Sequence, residues 1–222
     1  MLSSSNGFKA GIDYFVNSKN TVGFLVNGNI FRSAPNSYSN TPITYIPGGY
    51  INKILVSDNM QKSHIDNFNF NGNYKYSGKG LQHLNIDIDY GFFRINRNLH
   101  QPNVYYDNTG TTQLSSAIYS LISGAKIDIY SLKADYEQPF SKGTLGFGIK
   151  SSYVQSDNNF ELYNLISTVN LVDALDTTKS NQFNYKEYIN AGYINYNRNW
   201  KDVQLQLGIR AENTQSIGKS YP

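Results

Sequence analysis

The chain has 222 residues and a formal net charge of +3, from 19 Lys+Arg against 16 Asp+Glu. Such a length fits one domain, and so small a charge excludes the dense basic surface of a nucleic-acid binder. With no cysteine, disulfide frameworks, thiolate metal sites and Cys nucleophiles are excluded together. Aromatic residues make up 14% of the chain, with 19 Tyr and 12 Phe, and 29 residues are Asn. Tyr and Phe favour strands while Asn and Gly favour turns, so the composition predicts an all-β protein.

Mean hydropathy is −0.48, and no stretch approaches the roughly 18 consecutive apolar residues of a transmembrane helix. A β-barrel is compatible with that value, because only alternate strand residues meet lipid. Residues Met1–Asn6 have neither the basic nor the apolar region of a secretory signal.

Eight long strands are predicted, at about 7–16, 21–33, 52–76, 81–98, 125–140, 144–162, 181–198 and 203–216. The first ends in Tyr14 and Phe15 and meets a tight turn at Asn17-Ser18-Lys19-Asn20. In the second, Val22, Phe24, Val26, Gly28 and Ile30 share one side, the period of two of a half-apolar strand. A long loop over 34–50 follows, with Pro35, Pro42, Pro47, Gly48 and Gly49. The third strand, expected to be interrupted near Ser57-Asp58-Asn59, ends in Tyr74 and Tyr76 before the turn Ser77-Gly78-Lys79-Gly80.

The fourth strand alternates through Leu84, Ile86, Ile88, Tyr90 and Phe92 and leads into a second long loop, 99–123, holding Pro102 and Asp107-Asn108-Thr109-Gly110. The fifth ends in Tyr136 and Phe140 at the turn Ser141-Lys142-Gly143, and the sixth opens with Leu145-Gly146-Phe147-Gly148-Ile149-Lys150. A third long loop, 163–180, precedes the seventh strand, which carries Tyr193 and Tyr196 and turns at Asn199-Trp200-Lys201-Asp202. The eighth alternates from Val203 to Glu212, predicting Val203, Leu205, Leu207 and Ile209 outward and Gln204, Gln206 and Arg210 inward.

Each tight turn contains one lysine, at 19, 79, 142 and 201, so the unit repeats at about 60 residues. Aromatics precede every such turn, as an interfacial girdle would. Short turns alternating with long loops are the asymmetry of outer-membrane barrels, whereas a soluble sandwich turns every 8–12 residues or so.

The runs Asp13-Tyr14-Phe15-Val16-Asn17-Ser18-Lys19-Asn20-Thr21-Val22-Gly23-Phe24, Asn85 to Phe92, Asp128 to Glu137 and Leu207 to Thr214 resemble the barrel of TonB-dependent receptor-like outer-membrane proteins. The likeness runs from about residue 7 to about 216 and is closest to the outer-membrane β-barrel family. It implies an outer-membrane location in a Gram-negative cell and a contribution to energised ligand uptake. Such barrels have about 22 strands, so eight would form a third of the wall. The partners implied are outer-membrane lipid, the rest of the barrel with a plug domain, TonB through that plug, and a small ligand. The sequence shows no plug, no TonB-contacting segment and no closing strand at Gly218–Pro222, so the likeness concerns the wall. Two other readings stand beside it: a self-contained eight-stranded barrel serving as anchor or adhesion surface, and a soluble sandwich binding carbohydrate through loop tyrosines.

No residues are assigned to a catalytic, cofactor or metal site. Asp87 and Asp89 share a strand face, which reads as polar lumen lining rather than an acid/base pair. Asp128 and Asp135 fall on opposite phases, which predicts a bulge near Ile129-Tyr130. The loop acids Asp157, Asp173 and Asp176 lack a Ca²⁺-loop spacing, and His64, His83 and His100 lack a metal-ligand spacing. Gly146 and Gly148 suit a flat lumen face or a close backbone approach, and no Gly-x-Ser-x-Gly elbow occurs. Tyr105-Tyr106-Asp107, in the second long loop, is the best candidate for ligand contact. The chain is expected not to be an enzyme.

Overall fold

The computed structural model describes residues 2–80, 82–166 and 172–221. They form one antiparallel sheet of ten strands. These are β1 (Leu2–Asn17), β2 (Asn20–Ala34), β3 (Asn36–Tyr45), β4 (Tyr50–Ser77), β5 (His83–Tyr106), β6 (Gln113–Phe140), β7 (Gly143–Ile166), β8 (Val172–Leu175), β9 (Asn181–Asn199) and β10 (Gln204–Tyr221). A sandwich needs two facing sheets, so the soluble-sandwich reading is set aside.

Ten strands reduce to eight staves. β2 and β3 lie along the same side of β4 in one unbroken register, from Asn20↔Tyr76 through Ser33↔Ser63 to Asn36↔Met60. Only Pro35 separates them, and its carbonyl accepts from the Gln61 N–H at 3.1 Å. β8 likewise pairs with the end of β7 that β9 leaves free. Neighbouring staves pair in sequence order, with β1 and β10 at the two edges. The eight predicted strands are these staves.

All four tight turns fall where the sequence places them. Ser141 and Lys142 have φ of 47° and 62°, the left-handed pair that a two-residue hairpin requires. Gly80 has φ 66° in the turn between β4 and β5.

The long loops are the main correction. Most of 34–50 is strand β3 and the start of β4, and 99–123 shrinks to a turn between Tyr106 and Gln113. In the third, β8 occupies Val172–Leu175, while 167–171 lie outside the described residues. Prolines and Asn-rich stretches read as loop, yet Pro42 sits on β3, which has a partner on one side only, β4. A strand bonded on one side tolerates a residue without an N–H. The expected break in the third strand is a gap in one ladder: β4 runs unbroken, but its pairing to β5 skips from Ser57↔Asn103 to Met60↔His100. The gap falls at Pro102, which has no N–H to donate. β10 also extends beyond 216, pairing Ile217 to Tyr221 with β9.

The described residues form almost no conventional core. Among the described residues the one buried hydrophobic side chain is Ala191, at 8% exposure. Ile12, Ile88, Ile149 and Ile209 are 61–75% exposed. A sheet this apolar on one face is stable only with that face against another apolar medium.

Candidate functional site

The alternation sorts every stave into two faces. Leu84, Ile86, Ile88 and Tyr90 of β5 stand opposite Tyr136, Ala134, Leu132 and Tyr130 of β6. On the other phase, Asn85, Asp87 and Asp89 stand opposite Asp135, Lys133 and Ser131. One face is therefore lipid-facing and the other polar, as in a transmembrane barrel wall.

Two aromatic belts bound the lipid face. Near the tight turns lie Tyr14, Tyr74, Tyr76, Tyr136 and Tyr196, with Phe140 edge-on to Tyr196 at 6.4 Å. Phe15 and Tyr193, which the sequence groups with this girdle, sit on the opposite phase. The far belt was not anticipated. Phe70, Tyr90, Tyr130, Tyr153 and Tyr188 are direct cross-strand partners on five successive staves. Their rings lie 4.7–6.1 Å apart, nearly parallel. Tyr136 to Tyr130 on β6 and Tyr196 to Tyr188 on β9 span roughly 20 and 27 Å of strand, about 15 and 20 Å along the membrane normal at the usual tilt, which places both belts inside or at the rims of an apolar band of about 25 Å. A sequence signal did exist: aromatics recurring on one phase six to eight residues from the turn aromatic.

The lumen face is a hydrogen-bonded network. Asn71 donates to Asp89 at 2.7 Å and to Asp87 at 3.5 Å, and Asn73 donates to Asn71 at 3.0 Å. Lys133 pairs with Asp135 at 2.5 Å, and the Tyr193 hydroxyl also donates to Asp135. The Arg210 guanidinium lies 5.8 Å over the Tyr193 ring and bonds Glu212 at 2.6 Å. Arg210 thus shares the polar face, with Ile209 on the other, as the alternation predicts. Asp87 and Asp89 line the lumen as expected. Gly148 has Tyr193 lying where a Cβ would be, and Gly146 has Asn195 there, so both glycines serve a close approach by a side chain of the next strand.

No bulge occurs near Ile129-Tyr130: the β5–β6 register is unbroken from His83↔Glu137 to Tyr105↔Ser115. Asp128 is on the lipid-side phase because the apolar band has ended at Tyr130. Beyond the far belt that phase turns polar. Arg94 bonds Asp128 at 2.7 Å, Tyr90 donates to Asp128 at 2.8 Å, and Arg94 stacks over Phe92 at 5.0 Å. Arg32 and His64 meet Asp66 at 2.9 and 2.7 Å.

The remaining candidates are dispersed. Tyr105 and Tyr106 belong to β5, not to a loop, and the Lys53 ammonium lies 4.7 Å over the Tyr105 ring. Asp107 caps the turn instead, its Oδ1 accepting from the Thr111 N–H at 3.0 Å. Asp157 stands opposite Lys126 and Asn184. The Asp173 side chain lies outside what the structure describes. Asp176 accepts from the Thr178 hydroxyl at 2.6 Å and pairs with Lys179 at 3.1 Å. Those two contacts, Thr178 first, hold its carboxyl down to about 2. His64, His83 and His100 occupy different cross-strand rows. Among the described residues no three His, Asp or Glu side chains converge as metal ligands would.

A single antiparallel meander with a belted apolar face and a bonded polar face defines an outer-membrane β-barrel protein. Residues 74–221, two thirds of the chain, match the model of the outer membrane protein beta-barrel family. The chain belongs to that family, and its place is the outer membrane. No curated protein matches it.

Proposed function

We propose that the chain is wall of a TonB-dependent receptor-like transporter, contributing staves and surface ladders around a lumen through which a small ligand is taken up. The observation that carries this reading is the lumen face. Gly11, Gly23, Gly91, Gly146, Gly148 and Gly208 alternate there with Asn, Asp and Lys. An eight-stranded barrel must fill its own interior with side chains. Side chains of the neighbouring staves lie across most of these glycines, Tyr193 over Gly148 and Asn195 over Gly146 among them, so they reach along the wall and leave the interior to something else, water or a plug domain. On this reading the partners are the rest of the barrel, the plug and, through it, TonB. The role is one of structure and passage, not of catalysis.

Eight staves are also the number that closes a small barrel, which favours the self-contained anchor as the second reading. Gel mobility of the detergent-refolded chain, boiled and unboiled, separates them. A wall of a larger barrel gives no fast unboiled species and aggregates when detergent is removed, because edge strands template pairing. A fast unboiled band, lost on boiling, establishes the closed small barrel instead.

A further inference from the structure

We propose that the outer face binds the phosphorylated headgroup of an outer-leaflet lipid, in a groove formed by Arg32, Lys62 and His64. The groove has a volume of about 630 Å³, and Ser4, Asn96 and Asn98 contribute to its lining. These residues come from four neighbouring staves, in the row Ser4↔Arg32↔His64↔Asn96 and the adjacent pair Lys62↔Asn98. Both are on the lipid-side phase. On β4 the same phase reads Phe68, Asp66, His64, Lys62, so the groove opens directly beyond the aromatic belt. His64 lies four residues past Phe68, about 13 Å along the strand and roughly 10 Å along the membrane normal at the usual tilt. That is the level of headgroups, not acyl chains.

The charge suits a phosphate. Asp66 holds Arg32 and His64 at 2.9 and 2.7 Å, while among the described residues no carboxylate lines the groove. Lys62 has no ion-pair partner among the described residues and is exposed. Two permanent cations face one carboxylate, and Arg32 offers the planar fork that grips a phosphate. The asparagine amides and the Ser4 hydroxyl supply further donors. Below the groove, Phe8, Phe68 and Phe92 form a ring ladder with centroids 5.7 and 5.2 Å apart. A lipid would engage both levels, its chains against the rings and its phosphate in the groove. A soluble anion would touch the upper one alone.

The test titrates the full chain, refolded in detergent micelles, with bisphosphorylated lipid A in the same detergent, read by native mass spectrometry. Lys62→Gln, which breaks no observed contact, is expected to weaken binding about fivefold. Arg32→Gln/Lys62→Gln should weaken it about 25-fold. Lys19→Gln/Lys201→Gln, at the tight-turn end, should leave it unchanged, and dephosphorylated lipid A should bind the native chain as weakly as the double variant binds the phosphorylated lipid. The proposal is overturned if Lys62→Gln binds like the native chain, if the turn variant weakens binding equally, or if inorganic phosphate displaces lipid A at equal concentration. The last result would make the groove a site for a soluble anion.

Discussion

The Tyr193 hydroxyl donates to the Asp135 carboxylate across an entire intervening strand. Asp135, Gly148 and Tyr193 stand abreast on β6, β7 and β9, and the phenol ring lies over Gly148, where any Cβ would collide with it. One glycine thus lets two side chains meet that are two strands apart. Lys133 completes the group at 2.5 Å from Asp135.

Gly148→Val should therefore break a contact in which valine takes no part. With the ring pushed off, Asp135 keeps Lys133 but loses the hydroxyl, at a cost of about 1–3 kcal/mol. Urea unfolding of the chain in lipid vesicles measures it. Tyr193→Phe should show a similar loss, and the two together should lose little more than either alone. Additive losses would show that the glycine acts elsewhere.

The two faces of β5 and β6 predict opposite tolerance to charge. Ile88 is 61% exposed and lies between the belts, two residues from Tyr90 and four from Leu84 beside Tyr136, so Ile88→Arg should destabilise the inserted chain by about 2 kcal/mol. Ser131→Arg, on the lumen phase opposite Asp89, should cost under about 1 kcal/mol. Vesicle-based unfolding of the pair compares them directly, and equal costs would refute the assignment of faces.

Arg94 and Asp128 form one unit just beyond the far belt. Arg94→Met alone strands the carboxylate beside the tyrosine row and should cost about 1–3 kcal/mol. Asp128→Leu added to it should recover most of that, since an apolar pair there extends the lipid face. A double-mutant cycle without coupling would mean that the pair is decorative.

The turn at Ser141-Lys142 holds two non-glycine residues in left-handed conformation. Replacing them by Asn-Gly should stabilise the hairpin by about 1 kcal/mol, because those residues reach positive φ with less strain. The Tyr196 hydroxyl donates to the Ser141 carbonyl at 3.1 Å, a backbone contact that survives the change. The gain should appear as a higher urea midpoint with an unchanged slope.

Asp176 gives the surface turn its pH dependence. Its folded pKa of about 2 lies below the ordinary 3.8. Folding of the turn is therefore favoured above about pH 4, and that contribution is lost as pH falls through about 2. Carboxyl-carbon NMR should place the Asp176 midpoint near 2. Thr178→Val should raise it more than Lys179→Met, since the hydroxyl is the larger cause.

Strand phase was legible wherever a stave crosses the apolar band. There, alternation alone places Ile86, Ile88, Leu205, Leu207 and Ile209 on one side and Asp87, Asp89, Gln206 and Arg210 on the other. Past the band the same alternation continues between two polar surfaces, and hydropathy no longer marks it. That is why Asp128 suggested a bulge, and why 34–50 and 99–123 read as loops: a strand polar on both faces has the composition of a coil. Tyr193 was misplaced for a related reason, since an aromatic before a turn serves a lumen contact as readily as an interfacial one. The Arg32–Asp66 and Arg94–Asp128 pairs join residues more than 30 positions apart, and only the register brings them together.

The hydrogen-bonded ladders beyond the far belt change what the cell presents to the outside. From Tyr90 to Tyr106, β5 runs on for roughly 50 Å, paired to β6 almost throughout. What rises above the membrane is a stiff palisade, not a fringe of loose peptides. Its recognisable shapes are mosaics, such as the Lys53 ammonium capping the Tyr105 ring, drawn from residues far apart in the chain. An antibody raised against the folded protein should lose its target on boiling, and one raised against the synthetic peptide 99–123 should stain denatured protein and pass over living cells.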